Sequence, residues 1–307
     1  MLNFIIGKKG VGKTTYTHSL LGSFAEKGEK TMLIVPRQFT FESDRGVLDS
    51  LGPRLACEVD VLSFTRLADL VFKTCRGVSK PLLKDTANTV LMSLALDSLE
   101  ERLSFFSRHR ASTVFAGKML SQVALFKKEA IEPSDIYSAA QKLPNGLLKK
   151  KTAETALIYE TYNALVGERF FDDRDILSAV YEILLDSDLF DGKIIAVDDF
   201  RAFSGQEMKI IELMLRRAKE VYVTLCTDEL FVKSSLSPFF FVSKTAKRLL
   251  NAAEKNGVKS GKTIVLRDGE NGFSVYSVPE LRYLEKNFFN LCATSFEADA
   301  AAIQIIN

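Results

Sequence analysis

The sequence is short of several residue types on which specialised classes of protein depend. Its 307 residues include no tryptophan, two histidines and four cysteines. The cysteines form no CxxC pair, so we expect reduced, mostly buried thiols and neither a metal site nor a disulfide framework. His18 and His109 share no ligand spacing, and His18 is predicted to lie on a helix surface.

Excess charge and long apolar runs are also missing. The 41 Lys and Arg residues against 39 Asp and Glu residues give a formal net charge of +2, which argues against coating nucleic acid by bulk attraction. No apolar run reaches the roughly 18 residues of a membrane span, and the stretch 1–6 is too short for a signal sequence. These absences predict a cytoplasmic protein with no membrane partner. The length favours about two domains with a sizeable core.

The N-terminus contains the most specific motif of the chain. An apolar, strand-forming run, Leu2–Ile6, leads into a segment that fits GxxxxGK[ST] at every specified position, and a helical pattern follows from Thr15. Glycines let backbone N–H groups surround phosphate oxygens, and a helix N-terminus adds a favourable field. We therefore predict that ATP binds to this loop, whose residues are Gly7, Lys8, Lys9, Gly10, Val11, Gly12, Lys13 and Thr14. The alternative is a glycine-rich turn that binds nothing.

A second acidic strand end is needed to complete such a site. The run 193–197 is apolar and ends in Asp198 and Asp199, where open α/β sheets bind their ligands. Lys13 is expected to contact the β- and γ-phosphates, while Thr14 and Asp198 hold Mg²⁺. Asp199 stands where many related motors use a longer glutamate to activate water, so hydrolysis is expected to be weak or absent. The alternative for this segment is an Asp-rich turn after a strand.

The pattern of strands and helices predicts an α/β fold with a parallel sheet and one long interruption. Strands are predicted near residues 2–6, 31–35, 57–64, 193–197, 221–226, 263–266 and 302–306. Between them, residues 81–190 contain helical periodicity and no convincing strand. We expect a discontinuous P-loop, RecA-like lobe over residues 1–80 and 191–300, and an all-helical insertion over 81–190. Residues 301–307 are expected to begin a second lobe that the chain does not continue.

Several segments together resemble the N-terminal region of the AddB family. The resemblance extends almost end to end, and its segments are Ile34–Glu42 (IVPRQFTFE), Val61–Ala68 (VLSFTRLA), Val197–Phe200 (VDDF), Phe203–Glu207 (FSGQE) and Leu281–Phe289 (LRYLEKNFF). AddB, also called RexB-type, is one of the two subunits of the bacterial ATP-dependent helicase/deoxyribonuclease.

The resemblance implies a superfamily 1 helicase-like first lobe in a heterodimer with an AddA-type subunit. Such a complex processes double-stranded DNA ends and single-stranded DNA in the recombinational repair of double-strand breaks. By position, Asp198 falls at the acidic motif, Asp199 departs from an expected Asp-Gly, and Gln206 matches a glutamine that senses the γ-phosphate. The family's nuclease domain and its iron–sulfur cluster are expected only outside this chain. Without a second lobe, we expect little or no ATP hydrolysis from this polypeptide alone.

Two alternatives to a motor subunit stay open at this point. One is a nucleotide-binding scaffold that scans DNA without moving along it, and the other is a P-loop small-molecule kinase. The long distance between Lys13 and Asp198 and the absence of lid arginines argue against the kinase.

Candidate DNA-contacting residues are basic or aromatic. The basic groups lie at 108–110, 127–128 and 149–151, and they either contact phosphates or form solvated helix ends and a lysine-rich turn. Phe239, Phe240 and Phe241 form either a base-stacking patch or, as we favour from the sequence, part of the core.

Overall fold

A computed structural model describes residues 1–75, 80–83, 85–232 and 237–268, together with 280, 281, 283, 284 and 287. Its strands are β1 Leu2–Gly7, β2 Thr31–Ile34, β3 Val59–Leu62, β4 Leu82–Leu83, β5 Phe171–Asp172, β6 Ile194–Val197, β7 Glu220–Cys226 and β8 Ser260–Val265. Its helices are α1 Lys13–Ala25, α2 Thr40–Ala56, α3 Phe64–Thr74, α4 Asp85–Ser98, α5 Thr113–Lys128, α6 Pro133–Gln141, α7 Leu147–Arg169, α8 Ile176–Leu185, α9 Gly205–Arg217 and α10 Phe240–Lys255. The predicted strand 302–306 and most of the resemblance segment Leu281–Phe289 lie outside the described residues.

Tertiary contacts divide the chain into two compact units. Unit 1 comprises Met1–Leu67, Asp188–Phe203 and the described residues from Ile211 onward, and unit 2 comprises Ala68–Ser187 and Ser204–Ile210. The predicted domain limits at 80 and 191 thus fall within a few residues of places where the chain changes unit. The short return of residues 204–210 to unit 2 was not anticipated.

Unit 1 contains a six-stranded sheet in the order β3-β2-β6-β7-β1-β8, and each neighbouring pair is parallel. Every residue of β1, β2 and β6 is buried, as expected for strands that are covered on both faces. The six strands predicted within the described residues are all present. The α/β fold with a parallel sheet is therefore confirmed.

Helices α1 and α2 pack closely beside this sheet. A Cβ placed on Gly22 of α1 would lie 2.4 Å from Leu51 Cδ2 of α2, which shows how near the two helices approach. Gly52, at φ 74°, and Pro53 break α2 near its end, because a left-handed glycine and a proline both interrupt helical hydrogen bonding.

Unit 2 is built mainly from helices around its own core. Met92 and Leu96 of α4, Val123 of α5, and Ile158 and Tyr162 of α7 are all buried in it. The prediction of an all-helical insertion was wrong, because β4 and β5 pair in parallel through two residues each. Strands this short leave no readable period in a sequence.

A buried carboxylate of α7 organises the turn that follows α4 in unit 2. Glu154, which is 7% exposed, accepts hydrogen bonds from the backbone N–H groups of Ser104, Phe105 and Phe106 and from the Ser104 hydroxyl, at 2.8 to 3.0 Å. Burial alone would raise the pKa of Glu154, but these donors outweigh it and hold the pKa below its usual value. The ionised form of Glu154 is thus part of the fold.

No helix in the described part of the chain is both long enough and apolar enough to cross a membrane. Three cysteines are described, and all three are free thiols. The expectation that the thiols are mostly buried was wrong for Cys57 and Cys75, which are exposed. Cys57 follows the end of α2 and Cys75 follows α3, so neither position belongs to a core-facing stretch.

Candidate functional site

The loop between β1 and α1 is shaped by glycines and anchored by a valine. Gly10 at φ 88° and Gly12 at φ 82° occupy the left-handed region, which disfavours residues with a side chain. Val11 between them is buried, and a Cβ on Gly7 would lie 2.6 Å from Val11 Cγ2. The three glycines are therefore required by the local geometry, and backbone of this kind can form an anion-binding concavity.

Lys13 begins α1 and turns its side chain back over this loop. Its Nζ donates to the carbonyl oxygens of Gly7 at 2.9 Å and Lys8 at 2.7 Å. Burial lowers the pKa of Lys13, while the electrostatic influence of Cys226, Asp198 and Asp199 acts to raise it. The lysine and the acids at the end of β6 therefore share one electrostatic environment, although 185 positions separate Lys13 from Asp198 in the sequence.

Asp198 is held in place by the neighbouring strand. Its side chain is 3% exposed, its backbone N–H donates to Ile34 O at 2.9 Å, and its Oδ1 accepts a hydrogen bond from the Thr224 hydroxyl of β7. Thr224 Oγ1 in turn accepts from the Asp199 N–H at 3.1 Å. A single hydroxyl group of β7 thus fixes both consecutive acids.

Asp199 has an uncommon backbone conformation and a different environment from Asp198. Its φ of 61° lies in the left-handed region, where glycine is favoured and aspartate is tolerated. Desolvation and the charge of Asp198 raise the pKa of Asp199, against the opposing charges of Lys13, Lys9 and Arg201. The conformation agrees with the glycine that the family resemblance leads one to expect at this position.

Strand β7 sets the spacing between the two parts of the site. It pairs with β1 along its length, with Gly7 opposite Cys226, and with β6, with Val197 opposite Val223. Neighbouring strands lie about 4.8 Å apart, so one intervening strand puts the ends of β1 and β6 roughly 10 Å apart. Both ends are carboxyl ends and belong to the same edge of the sheet.

The side chains at this edge suit a triphosphate with a divalent cation. Asp198 contributes a carboxylate and Thr14, exposed in the first turn of α1, contributes a hydroxyl, and hard oxygen ligands of this kind are those that Mg²⁺ prefers. Lys13 contributes a cation against the loop carbonyls. The residues present therefore fit Mg²⁺ and a phosphate chain.

The other loop residues make less specific contacts. Lys8 Nζ lies 3.5 Å from Asp228 Oδ2, and Lys9 is exposed with its charge acting on Asp199.

Gln206 is engaged within unit 2. Its Nε2 donates to Arg174 O at 2.9 Å and lies 3.0 Å from Ser178 Oγ, and the residue is 6% exposed. The hydrogen bonds described for Gln206 thus serve the packing of unit 2, and its predicted role at a γ-phosphate stays a prediction.

Three residues near the site were missed or misjudged from the sequence. Thr224 and Cys226 lie on a strand whose place in the sheet no local pattern reveals. His18 was predicted on a helix surface, but it is 3% exposed and its Nε2 has no hydrogen-bond partner. It faces α2, where a Cβ on Gly46 would lie 3.0 Å from His18 Cε1. Burial lowers the pKa of His18, with opposing contributions from Asp198 and Gly46.

The basic groups of unit 2 differ in their surroundings. Lys127 is buried, and its Nζ lies 2.9 Å from Asp172 Oδ2 and 2.6 Å from Asp175 Oδ2, so its suggested contact with phosphates was wrong. Arg110 pairs with Glu100. Residues 108, 109, 128, 150 and 151 are exposed. The favoured core position of the Phe239–Phe241 group was wrong for Phe241, which is 74% exposed.

Comparison with known proteins places this site in context. A family model described as "ADDB, N-terminal" matches residues 4–285. The chain is 29% identical over 291 residues to a protein of Clostridium acetobutylicum, 29% over 296 residues to one of Clostridium tetani, and 28% over 292 residues to one of Acetivibrio thermocellus. Each is named as the B-type subunit of an ATP-dependent helicase/deoxyribonuclease. The matches cover 94% of this chain, which spans about a quarter (25%, 26% and 25%) of the length of these relatives.

Proposed function

Because the chain belongs to the family of AddB N-terminal regions, we propose that it is the nucleotide-binding, helicase-like part of an AddB-type subunit of an ATP-dependent helicase/deoxyribonuclease. In this proposal the site between β1 and β6 is a P-loop site of the RecA-like class that binds ATP with Mg²⁺. The complete protein acts on DNA ends and single-stranded DNA with an AddA-type partner. The small-molecule kinase loses its support, since the matched relatives are named as helicase subunits.

The observation that supports the proposal most directly is the convergence of Lys13 with Asp198. Two segments far apart in sequence meet at the carboxyl edge of one parallel sheet, with β7 between them. A structural turn that bound nothing would not require a lysine and a buried carboxylate in the same environment, because burying charged groups is costly.

Each residue then has a stated part in binding. The loop from Gly7 to Gly12 surrounds phosphate oxygens, and Lys13 exchanges its two carbonyl partners for the β- and γ-phosphates. Thr14 and Asp198 hold Mg²⁺, which when bound neutralises charge on the phosphates. Thr224 keeps Asp198 in position through its hydroxyl group.

A second candidate, a DNA-scanning scaffold that binds nucleotide without moving, is favoured by one specific observation. Asp199 occupies the position of a water-activating acid, but its side chain is short and its backbone conformation is left-handed. DNA-stimulated ATPase of the heterodimer distinguishes the candidates. A motor should lose its ATPase in an Asp198→Ala variant, whereas an unchanged rate would favour the scaffold.

Titration with ATP tests the site itself. Wild type should bind ATP in the presence of Mg²⁺, and Lys13→Ala should weaken binding about tenfold or more, because a charge-assisted hydrogen bond contributes about 1.5 to 3 kcal/mol. Lys30→Ala is the matched control, since Lys30 is exposed and lies outside the loop. Asp198→Asn should reduce the dependence on Mg²⁺. Equal affinities of wild type and Lys13→Ala would contradict the proposal.

A further inference from the structure

The first turn of α10, in unit 1, presents an aromatic ring to solvent beside a lysine. Phe241 is 74% exposed, and its ring centroid lies 6.0 Å from that of Phe240 at an interplanar angle of 70°. Lys244 Nζ lies 4.6 Å from the Phe240 ring centroid and 5.8 Å from that of Phe241. These distances bring the ammonium group within cation–π range of both rings.

Packing of α10 does not explain why Phe241 is outside. The helix buries Ala246, Leu249 and Ala253, whereas Phe241 is on the exposed side. A large exposed aromatic residue costs solvation free energy unless a ligand covers it.

The exposed side of α10 is also strongly basic. Lys244, Lys247 and Arg248 are exposed, and Glu254 is the one acidic residue between 240 and 255 in the sequence. An acidic ligand therefore meets no repulsion over the first three turns. Aromatic rings next to phosphate-binding cations are the combination by which proteins hold single-stranded nucleic acid.

A second segment adds a cation to the same place. Thr245 Oγ1 lies 3.0 Å from Arg201 O and 3.3 Å from Phe241 O, so the backbones of Arg201 and Phe241 meet at one hydroxyl group. Arg201 is exposed, and its charge reaches Asp199. The aromatic-basic patch of Arg201, Phe241 and Lys244 is thus two residues away in sequence from the acids of the candidate nucleotide site.

We propose that this aromatic-basic patch is a binding site for single-stranded nucleic acid, in which a base stacks on Phe241 while Lys244 and Arg201 contact the phosphates on either side. Stacking on a ring accepts any base, so the site does not depend on sequence. The inference deepens the proposed function by naming a nucleic-acid surface on unit 1, and rests on it only for the identity of the nucleic acid as DNA.

The lack of tryptophan makes a direct test possible. Phe241→Trp would carry the one tryptophan of the chain, and Leu48→Trp, at a 47% exposed position of α2, is the matched control. Oligodeoxythymidylate should quench the fluorescence of Phe241→Trp and leave that of Leu48→Trp largely unchanged. Equal quenching of the two variants would overturn the proposal. So would quenching of Phe241→Trp by polyglutamate with none by the oligonucleotide, which would indicate a protein partner.

Affinity and salt dependence separate stacking from charge. Phe241→Ala should weaken binding of a labelled oligodeoxythymidylate about tenfold with the salt slope unchanged. Lys244→Ala should lower the slope of log K against log salt by about 0.7, as for the loss of one phosphate contact in a single strand. If neither variant differs from wild type, the patch is not the binding site. These titrations contain no nucleotide, so their failure is distinct from a failure of Lys13→Ala to weaken ATP binding.

Discussion

Replacing Lys127 by methionine tests whether the buried ion cluster stabilises unit 2. Methionine keeps most of the aliphatic chain and removes only the charge. Lys127 Nζ then no longer contacts Asp172, whose side chain is 0% exposed, or Asp175, whose side chain is 36% exposed. Asp175 can be hydrated when its partner is lost, so it contributes little to the cost.

The magnitude therefore depends on Asp172. Removing one partner of a buried pair costs about 3 to 5 kcal/mol. Asp172 keeps the Arg174 guanidinium and N–H, each at 3.1 Å, and the Tyr162 hydroxyl at 3.2 Å, so we expect the lower limit, about 3 kcal/mol.

Urea denaturation followed by circular dichroism at 222 nm measures the free energy of unfolding, and urea leaves ion pairs unscreened. Lys128→Met is the matched control, because Lys128 is adjacent and exposed, and it should change stability by less than about 0.5 kcal/mol. A difference below about 1 kcal/mol between the two variants would refute the reasoning. Lys127→Met should also leave the salt slope of DNA binding unchanged, since a buried ammonium group contacts no phosphate.

Three further predictions concern local stability and turnover. Glu154→Gln should destabilise unit 2 by about 1.5 to 3 kcal/mol at neutral pH; the wild-type contribution, from a carboxyl with a lowered pKa, is fully present above its ordinary value of 4.5 and is lost as the pH falls through the folded pKa, so urea midpoints that fall equally with pH in both proteins would contradict it. Gly205→Ala should cost more than about 2 kcal/mol, because its Cβ would lie 2.0 Å from the backbone oxygen of Glu129; a melting temperature within a degree of wild type would show that the backbone yields. Steady-state ATP hydrolysis by this chain alone should stay below about 1 s⁻¹, and a faster rate in a coupled assay would show that no second lobe is needed.

The parts of the molecule that were predictable are those encoded by contiguous patterns. The loop from Gly7 to Thr14 and the helix after it form one uninterrupted segment, and Asp198 follows a run of buried residues. The strands of the sheet were predictable for the same reason, because each is a continuous apolar run.

What could not be predicted depends on contacts between distant segments. Thr224 acquires its role only because β7 lies between β1 and β6, an order that no single segment specifies. In α1, Thr17 and His18 take buried positions that an apolar period does not mark. Lys127 did leave a signal, since it lies four residues after the buried Val123 on the same face of α5.

Strand β7 contributes no residue to the phosphate loop, yet the geometry of the site depends on it. Side chains alternate along a strand, so one inserted or deleted residue before Thr224 would turn its hydroxyl to the opposite face and leave Asp198 without that donor. Such a frame change would disable the site while every letter of the loop and of the acidic strand end remained intact. Loss of nucleotide binding in a homologue should therefore be sought in the length of this middle strand as well as in its motifs.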